Sequence, residues 1–350
     1  MSYTLKYTLK RILLMLLTLF LILSLTFFLI KMLPDSAMAG MKPQQYAYCN
    51  DQVSKGFFVV SDIERFDLGN PVLTYQDDIT GAIKYFYRRP VILQYGSWLQ
   101  GIFTRWDWGE STAYAPGRTA INIISSSLKP TVLVNLISLL FTLPFGFLFG
   151  IWAALKKDKP TDYIISTLVM VFISVPSFIT ITLLLSWFGF DLKWLPTRWP
   201  DAGAPAGEVV KGYIIPVLSL GFGTIAGFTR YTRAELTEVM SSDFLLLART
   251  KGLSKTQCVV RHALRNSMVP IIPMVIGEFI SILSGSIVLE GIYAIPGIGS
   301  LFIDCINLKD YELLLADMAV FTTINLVANL LVDLSYGLVD PRIRMGAKAK

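Results

Sequence analysis

Six stretches of this chain are longer and more apolar than a water-soluble helix tolerates. The first, Ile12 to Ile30, carries no charge and follows Lys6, Lys10 and Arg11. A bilayer-crossing helix needs about 20 largely apolar residues. The runs that meet this predict spans at 12–33, 128–155, 162–190, 212–233, 268–291 and 312–338. Only 16% of the 350 residues are charged, against about 25% in soluble domains, so lipid is the expected solvent for much of the chain. The first run is too long for the core of a signal peptide, about 7–15 residues, and reads as a retained span despite the A-x-A triplet Ala37-Met38-Ala39. Pro176 inside the third run predicts tilt or a kink.

Charge sets the expected orientation. Lys156, Lys157 and Lys159 crowd the turn after the second span. Arg230, Arg233, Arg249, Lys251, Lys255, Arg261 and Arg265 lie between the fourth and fifth, and Arg342, Arg344, Lys348 and Lys350 end the chain. The short loop after the fifth span has only Lys309. Basic short loops stay in the cytoplasm, which puts both termini, 1–11 and 339–350, and the 234–267 loop inside. The 34–127 segment and the loops 191–211 and 292–311 are then outside. The net charge of +6 is thereby explained without nucleic acid, for which no basic helix or aromatic platform is present.

The long outer segment is too aromatic to be disordered. It includes Phe57, Phe58, Tyr85, Phe86, Tyr87, Trp98, Trp106 and Trp108. Tyr95, Trp98, Leu99, Ile102 and Phe103 recur at helical spacing after Pro90, which predicts an amphipathic helix on the membrane surface or capping the bundle. Cys49, Cys258 and Cys305 have no metal or redox spacing and are expected as free thiols, although Cys49 and Cys305 share the outer side. The single histidine, His262, reads as structural. No phosphate-binding GxxxxGK[ST] loop or metalloprotease HExxH occurs, so neither ATP hydrolysis nor zinc proteolysis is expected of this chain, and no cofactor is expected in it.

The 234–267 loop holds the most informative local pattern. Ser242 or Asp243 can cap a short helix, Gly252 is its natural stop, and Ser254 with Gln257 forms a capping box for a second helix. Acids within the apolar runs, Glu278, Asp317 and Asp333, must face a cavity or a partner. Asn325, Asn329 and Asp333 form one polar stripe. Glu278 and this stripe read as pathway-lining or as hydrogen bonding between helices.

Several motifs occur together: Thr229-Arg230-Tyr231-Thr232-Arg233-Ala234, Asp243-Phe244, Ala248-Arg249-Thr250-Lys251-Gly252-Leu253-Ser254, Arg261-His262-Ala263-Leu264-Arg265-Asn266 and Pro270. This series resembles the cytoplasmic EAA loop of binding-protein-dependent ABC importers in its oligopeptide and dipeptide permease form. Of the general EAA pattern only Ala248, Gly252 and Leu264 match; Leu246, Leu247 and Arg265 depart. Leu33-Pro34-Asp35, Trp108-Gly109-Glu110-Ser111, Pro296-Gly297-Ile298-Gly299, Asp310-Tyr311 and Asp340-Pro341-Arg342-Ile343-Arg344 are similar to the same family, whereas about 38–88 is longer than the family leads one to expect.

The resemblance implies an all-α membrane protein with six transmembrane helices, the type I ABC importer permease fold and an extracytoplasmic insert between helices 1 and 2. It implies the permease subunit of an oligopeptide importer in a bacterial cytoplasmic membrane, or the same architecture carrying dipeptides, nickel complexes or signalling peptides. A stand-alone secondary transporter is the alternative of another class. The implied partners are a homologous second permease, two cytoplasmic ATPases that bind ATP and Mg, and an external peptide-binding protein. Coupling to the ATPase would fall to Asp243, Phe244, Ala248, Arg249, Lys251, Gly252, Leu253 and Ser254, and docking of the binding protein to Pro296, Gly297, Ile298 and Gly299 with the aromatic insert, unless the insert is a self-packed cap.

Overall fold

The structure, a computed structural model, describes residues 3–34, 41–76, 81–281 and 285–339. The Asp340 to Arg344 motif, the basic C-terminal tail and Asp35 lie outside the described residues. Two compact units are present: one of Met1–Met15, Ser127–Ser300 and Ile324–Lys350, the other of Leu16–Ser126 and Leu301–Thr323.

The first unit is a helical bundle. Its members are most of α4 (Ala120–Leu155), α5 (Pro160–Ser174), α6 (Ser177–Leu184), α7 (Ala206–Met240), α8 (Asp243–Thr250), α9 (Lys255–Cys258), α10 (Leu264–Ser281) and α11 (Ile287–Tyr293). α4 and α7 approach closely because Gly146 and Gly150 sit one turn apart on the facing side. A Cβ at Gly146 would lie 2.6 Å from Phe228 Cβ, and one at Gly150 2.5 Å from Thr232 Cβ. Such a small-xxx-small stripe is how membrane helices gain packing where lipid offers no hydrophobic drive. The Thr229 hydroxyl donates to Gly146 O at 3.3 Å across the same seam.

Pro176 ends α5 and begins α6 with a bend of 97°, since its ring disfavours a helical conformation at Val175, which is extended. A π-helical turn, Leu185–Asp191, follows α6. Val134, Ile181, Leu185, Ile215, Leu289, Tyr293 and Ile295 form the core beneath it.

In the second unit, α2 (Lys42–Ser54) and α3 (Val91–Arg105) flank three strands, β1 (Phe58–Ser61), β2 (Leu73–Gln76) and β3 (Ile83–Arg88). The C-terminal half of α1 (Tyr3–Lys31) belongs to the same unit, as do most of α12 (Ile298–Leu308) and the start of α13 (Tyr311–Val339). The strands pair antiparallel in the order β1-β3-β2. The chain is therefore mostly helical but not all-α. Val59, Val60 and the Tyr85-Phe86-Tyr87 run favour a pleated, half-buried surface, and Phe86 drops into a core with Cys49, Phe57, Phe58 and Leu73.

Acids at the start of α13 brace this unit. Asp310 accepts the Ser111 hydroxyl at 2.6 Å and the backbone N–H groups of Ala113 and Tyr114 at 3.0 Å. Glu312 accepts Lys55 Nζ at 2.6 Å and Gln52 Nε2 at 2.8 Å. Burial opposes the charge on Lys55, yet Glu312 and Asp51 outweigh it and hold its pKa above the usual lysine value. All three cysteines are buried, and none is in a disulfide.

By length and apolarity, four helices among the described residues can cross a membrane, or up to six if each of two bent pairs is one span. The second pair is α11 with α12, bent by 82°. The stretch 292–311, expected as a loop, thus holds a helix. The expected fifth span, 268–291, is divided between α10 and α11, with 282–284 outside the described residues.

Candidate functional site

α7 stops at Met240, and the chain turns through Ser241-Ser242 into α8. Ser242 occupies the capping position in an extended conformation. Its hydroxyl donates back to Val239 O at 2.6 Å rather than accepting from α8. Gly252 ends α8 at φ +88°, a left-handed conformation that side chains resist, with open space where a Cβ would stand. The requirement at Gly252 is thus conformational and not steric. The capping box forms at the next helix: Ser254 N–H donates to Gln257 Oε1 at 3.1 Å, and Gln257 N–H to Ser254 Oγ at 3.3 Å. A π-helical turn at Val259–Ala263, carrying the half-buried His262, then leads into α10.

This corner has an anchored side and an open side. Leu245 and Cys258 are buried with Ala154 and Leu236, and Ala248 and Leu253 pack against that cluster. Asp243, Phe244, Arg249, Lys251, Gly252 and Ser254 are exposed. Ala248 and Leu253 thus pack toward that cluster and are only partly open to solvent. Leu246 and Leu247, read in the sequence only as departures from a pattern, are exposed beside Phe244. Nearby, Arg233 grips Asp162 bidentately, with Nη2 to Oδ2 at 2.7 Å. Asp162 also accepts the Asp158 N–H at 3.0 Å, so the loop of Lys156, Lys157 and Lys159 is tied to α7.

The acids of the bundle separate into three environments. Glu278 accepts the Thr224 hydroxyl at 3.3 Å and lines a cavity of about 50 Å³ with Asn135, Ser138 and Thr142. It both bonds between helices and faces polar space. Asn325 and Asn329 are exposed on α13, whereas Asp333 pairs with Arg11 at 2.9 Å. Charge pairing at a helix end thus accounts for Asp333, separately from the two asparagines.

The third environment belongs to Glu290, which the sequence reading did not select. It is buried, and its carboxylate accepts the Thr131 hydroxyl at 2.9 Å and the N–H groups of Gly299 at 2.8 Å and Ser300 at 3.1 Å. Thr131 Oγ1 in turn accepts the Ile298 N–H at 3.0 Å. A Cβ at Gly285, Gly297 or Gly299 would overlap the carboxylate. Glu290 thus clasps the first N–H groups of α12, where a helix leaves donors unpaired. The clasp buries Gly297, Ile298 and Gly299; of the four expected docking residues only Pro296 is exposed. Leu301, which follows this turn, is likewise buried, and Phe302 is half-buried. An acid closing an apolar run just before Pro-Gly-x-Gly was the available signal.

Residues 146–345 match the family described as the binding-protein-dependent transport system inner membrane component. The chain belongs to this family. It is 33% identical to the dipeptide transport system permease protein DppB of Lactococcus lactis, across 97% of this chain and 99% of that one. It is 30% identical to DppB of Bacillus subtilis, across 98% and 99%. It is also 30% identical to the oligopeptide transport system permease protein OppB of Haemophilus influenzae, across 97% and 99%. The family match contains the Gly252 corner, Glu278, Glu290 and the Gly146–Gly150 stripe. These alignments run through nearly the whole length of both chains.

Proposed function

We propose that this chain is the permease subunit of an ATP-driven, binding-protein-dependent peptide importer. It forms half of a translocation pathway across a bacterial cytoplasmic membrane. Six spans, cytoplasmic termini and an external insert follow from the basic short loops. The partners are a second, homologous permease, two ATPases that bind ATP and Mg, and an external peptide-binding protein. Peptide length is set largely by the binding protein, and both dipeptide and oligopeptide systems occur among the relatives.

The observation that carries this reading is the Gly252 corner in a chain of this family. Phe244, Leu246 and Leu247 are exposed beside Arg249 and Lys251 on a short helix whose other side is anchored. An apolar patch with a basic rim suits a protein partner rather than water. ATP-driven movement of the ATPases would push this corner and shift α7 and α10 with it, changing the side on which the pathway opens. The energy is the difference in ATP affinity between the two states. Glu278, Asn325 and Asn329 are the pathway candidates, and Pro296 with the insert the candidates for docking.

The test is reconstitution with the second permease and the ATPases. Peptide-loaded binding protein should stimulate ATP hydrolysis, and Phe244→Asp should abolish that stimulation while the subunit still inserts. Stimulation unchanged by Phe244→Asp would reject the corner as the contact.

A further inference from the structure

We propose that α3 is sunk into the lipid leaflet at the Lys31 end of α1, with its outward stripe in contact with acyl chains. The length of α1 sets the depth scale. The uncharged run between Arg11 and Lys31 rises roughly 28 Å as a helix, which the hydrocarbon of about 30 Å consumes entirely. No part of that run is left over to stand in water. Ser24 therefore lies on the order of 10 Å below the Lys31 end. Its hydroxyl shares a hydrogen bond with the Tyr95 hydroxyl of α3. Phe28 packs on Tyr95 with centroids 5.1 Å apart, and Phe27 on Trp98 at 5.0 Å. Further along, Gly101 and Arg105 line one cleft with Ile30 and Lys31. α3 thus climbs along α1 from the depth of Ser24 to that of Lys31.

The other face of α3 has the composition this depth demands. Ile92, Gly96, Leu99 and Phe103 follow one another at helical spacing, and Ile92 and Phe103 are 64% and 78% exposed. The helix carries no charge before Arg105. Arg105 and the exposed Trp106 come at the Lys31 level, where cationic and indole side chains settle at a membrane interface. Arg89, just before the helix, turns back to donate to Gly56 O at 3.1 Å. The span in α1 brings lipid to the same depth as Tyr95, which is why lipid is the occupant assigned to this stripe.

The test uses the assembled transporter in nanodiscs, with single cysteines at Phe103, Leu21 and Ile63 carrying a bimane probe. The three native cysteines are buried, so background labelling is low. Brominated phospholipid should cause loss of fluorescence at Phe103→Cys and Leu21→Cys, and iodide at Ile63→Cys alone. Iodide quenching at Phe103→Cys as strong as at Ile63→Cys would overturn the proposal. So would protection from both quenchers, which would mean that protein covers the stripe. The proposal rests on α1 crossing the bilayer, and Leu21→Cys reads that separately. Lipid quenching at Leu21 without quenching at Phe103 overturns the sinking of α3 alone; no lipid quenching at Leu21 overturns the span as well.

Discussion

The Gly252 corner and the Glu290 clasp are both sharp turns between short helices, but different forces hold them. At the corner each hydrogen bond spans only a few residues: Ser254 with Gln257, and Gly252 N–H to Arg249 O. At the clasp, Glu290 is bound by Thr131, 159 positions away in the chain, and by the start of a different helix. The corner carries exposed apolar and charged side chains on an open side, whereas the clasp has one buried carboxylate and glycines against it. A turn built from local bonds can move as a unit without losing them. A turn closed by a distant buried acid cannot open without stranding several donors. The corner is therefore suited to transmit movement, and the clasp to resist it.

The largest effect that tests this contrast is expected at Glu290. Glu290→Ala removes the acceptor for Thr131, Gly299 and Ser300. Each buried donor left unpaired costs about 1–3 kcal/mol. Thermal unfolding in detergent should fall steeply, and the yield of assembled complex with it. Glu290→Gln keeps an acceptor oxygen and should lose less. If Glu290→Ala unfolds like the parent, the clasp is not structural and the contrast fails.

Gly252→Val should act in the opposite way. Holding a β-branched residue in the left-handed conformation costs roughly 1–3 kcal/mol, which the corner relieves by reshaping the turn rather than by unfolding. Peptide uptake and stimulated ATP hydrolysis should drop to background while thermal unfolding moves little. Gly252→Asn, which tolerates φ near +88°, should retain most uptake. Wild-type uptake in Gly252→Val would break the contrast from the corner's side.

The same contrast explains what was legible before the structure. The corner's boundaries, its glycine stop and its capping box are written in consecutive residues, so local rules find them. Gly146 and Gly150 are also readable in principle, as a small-residue stripe, but only the fold identifies Phe228 and Thr232 as what they meet. Glu290 was missed because its partners are remote in sequence and because it ends an apolar run instead of interrupting it. The three strands were missed because the insert's aromatics were read for order alone, and because the pairing of Phe58 with Arg88 bridges 30 positions. Ala248 and Leu253 enter the coupling set by resemblance, which carries over types of residue but not the side on which they pack.

The smallest expected effect on stability is at Glu278, where the contrast is finest. Glu278 is buried less completely than Glu290 and accepts the Thr224 hydroxyl beside a cavity with polar lining. Glu278→Gln keeps an oxygen for Thr224, so the hydrogen bond survives and thermal unfolding should shift by less than about 1 kcal/mol equivalent. What changes is the charge presented to the cavity. If that cavity belongs to the pathway, uptake of peptides with cationic side chains should slow relative to neutral ones, with complex assembly unaltered. Equal uptake of both peptide classes in Glu278→Gln would assign Glu278 to helix packing. It would then be a weaker, shorter-range counterpart of Glu290, and Asn325 and Asn329 would remain as the polar candidates for the pathway.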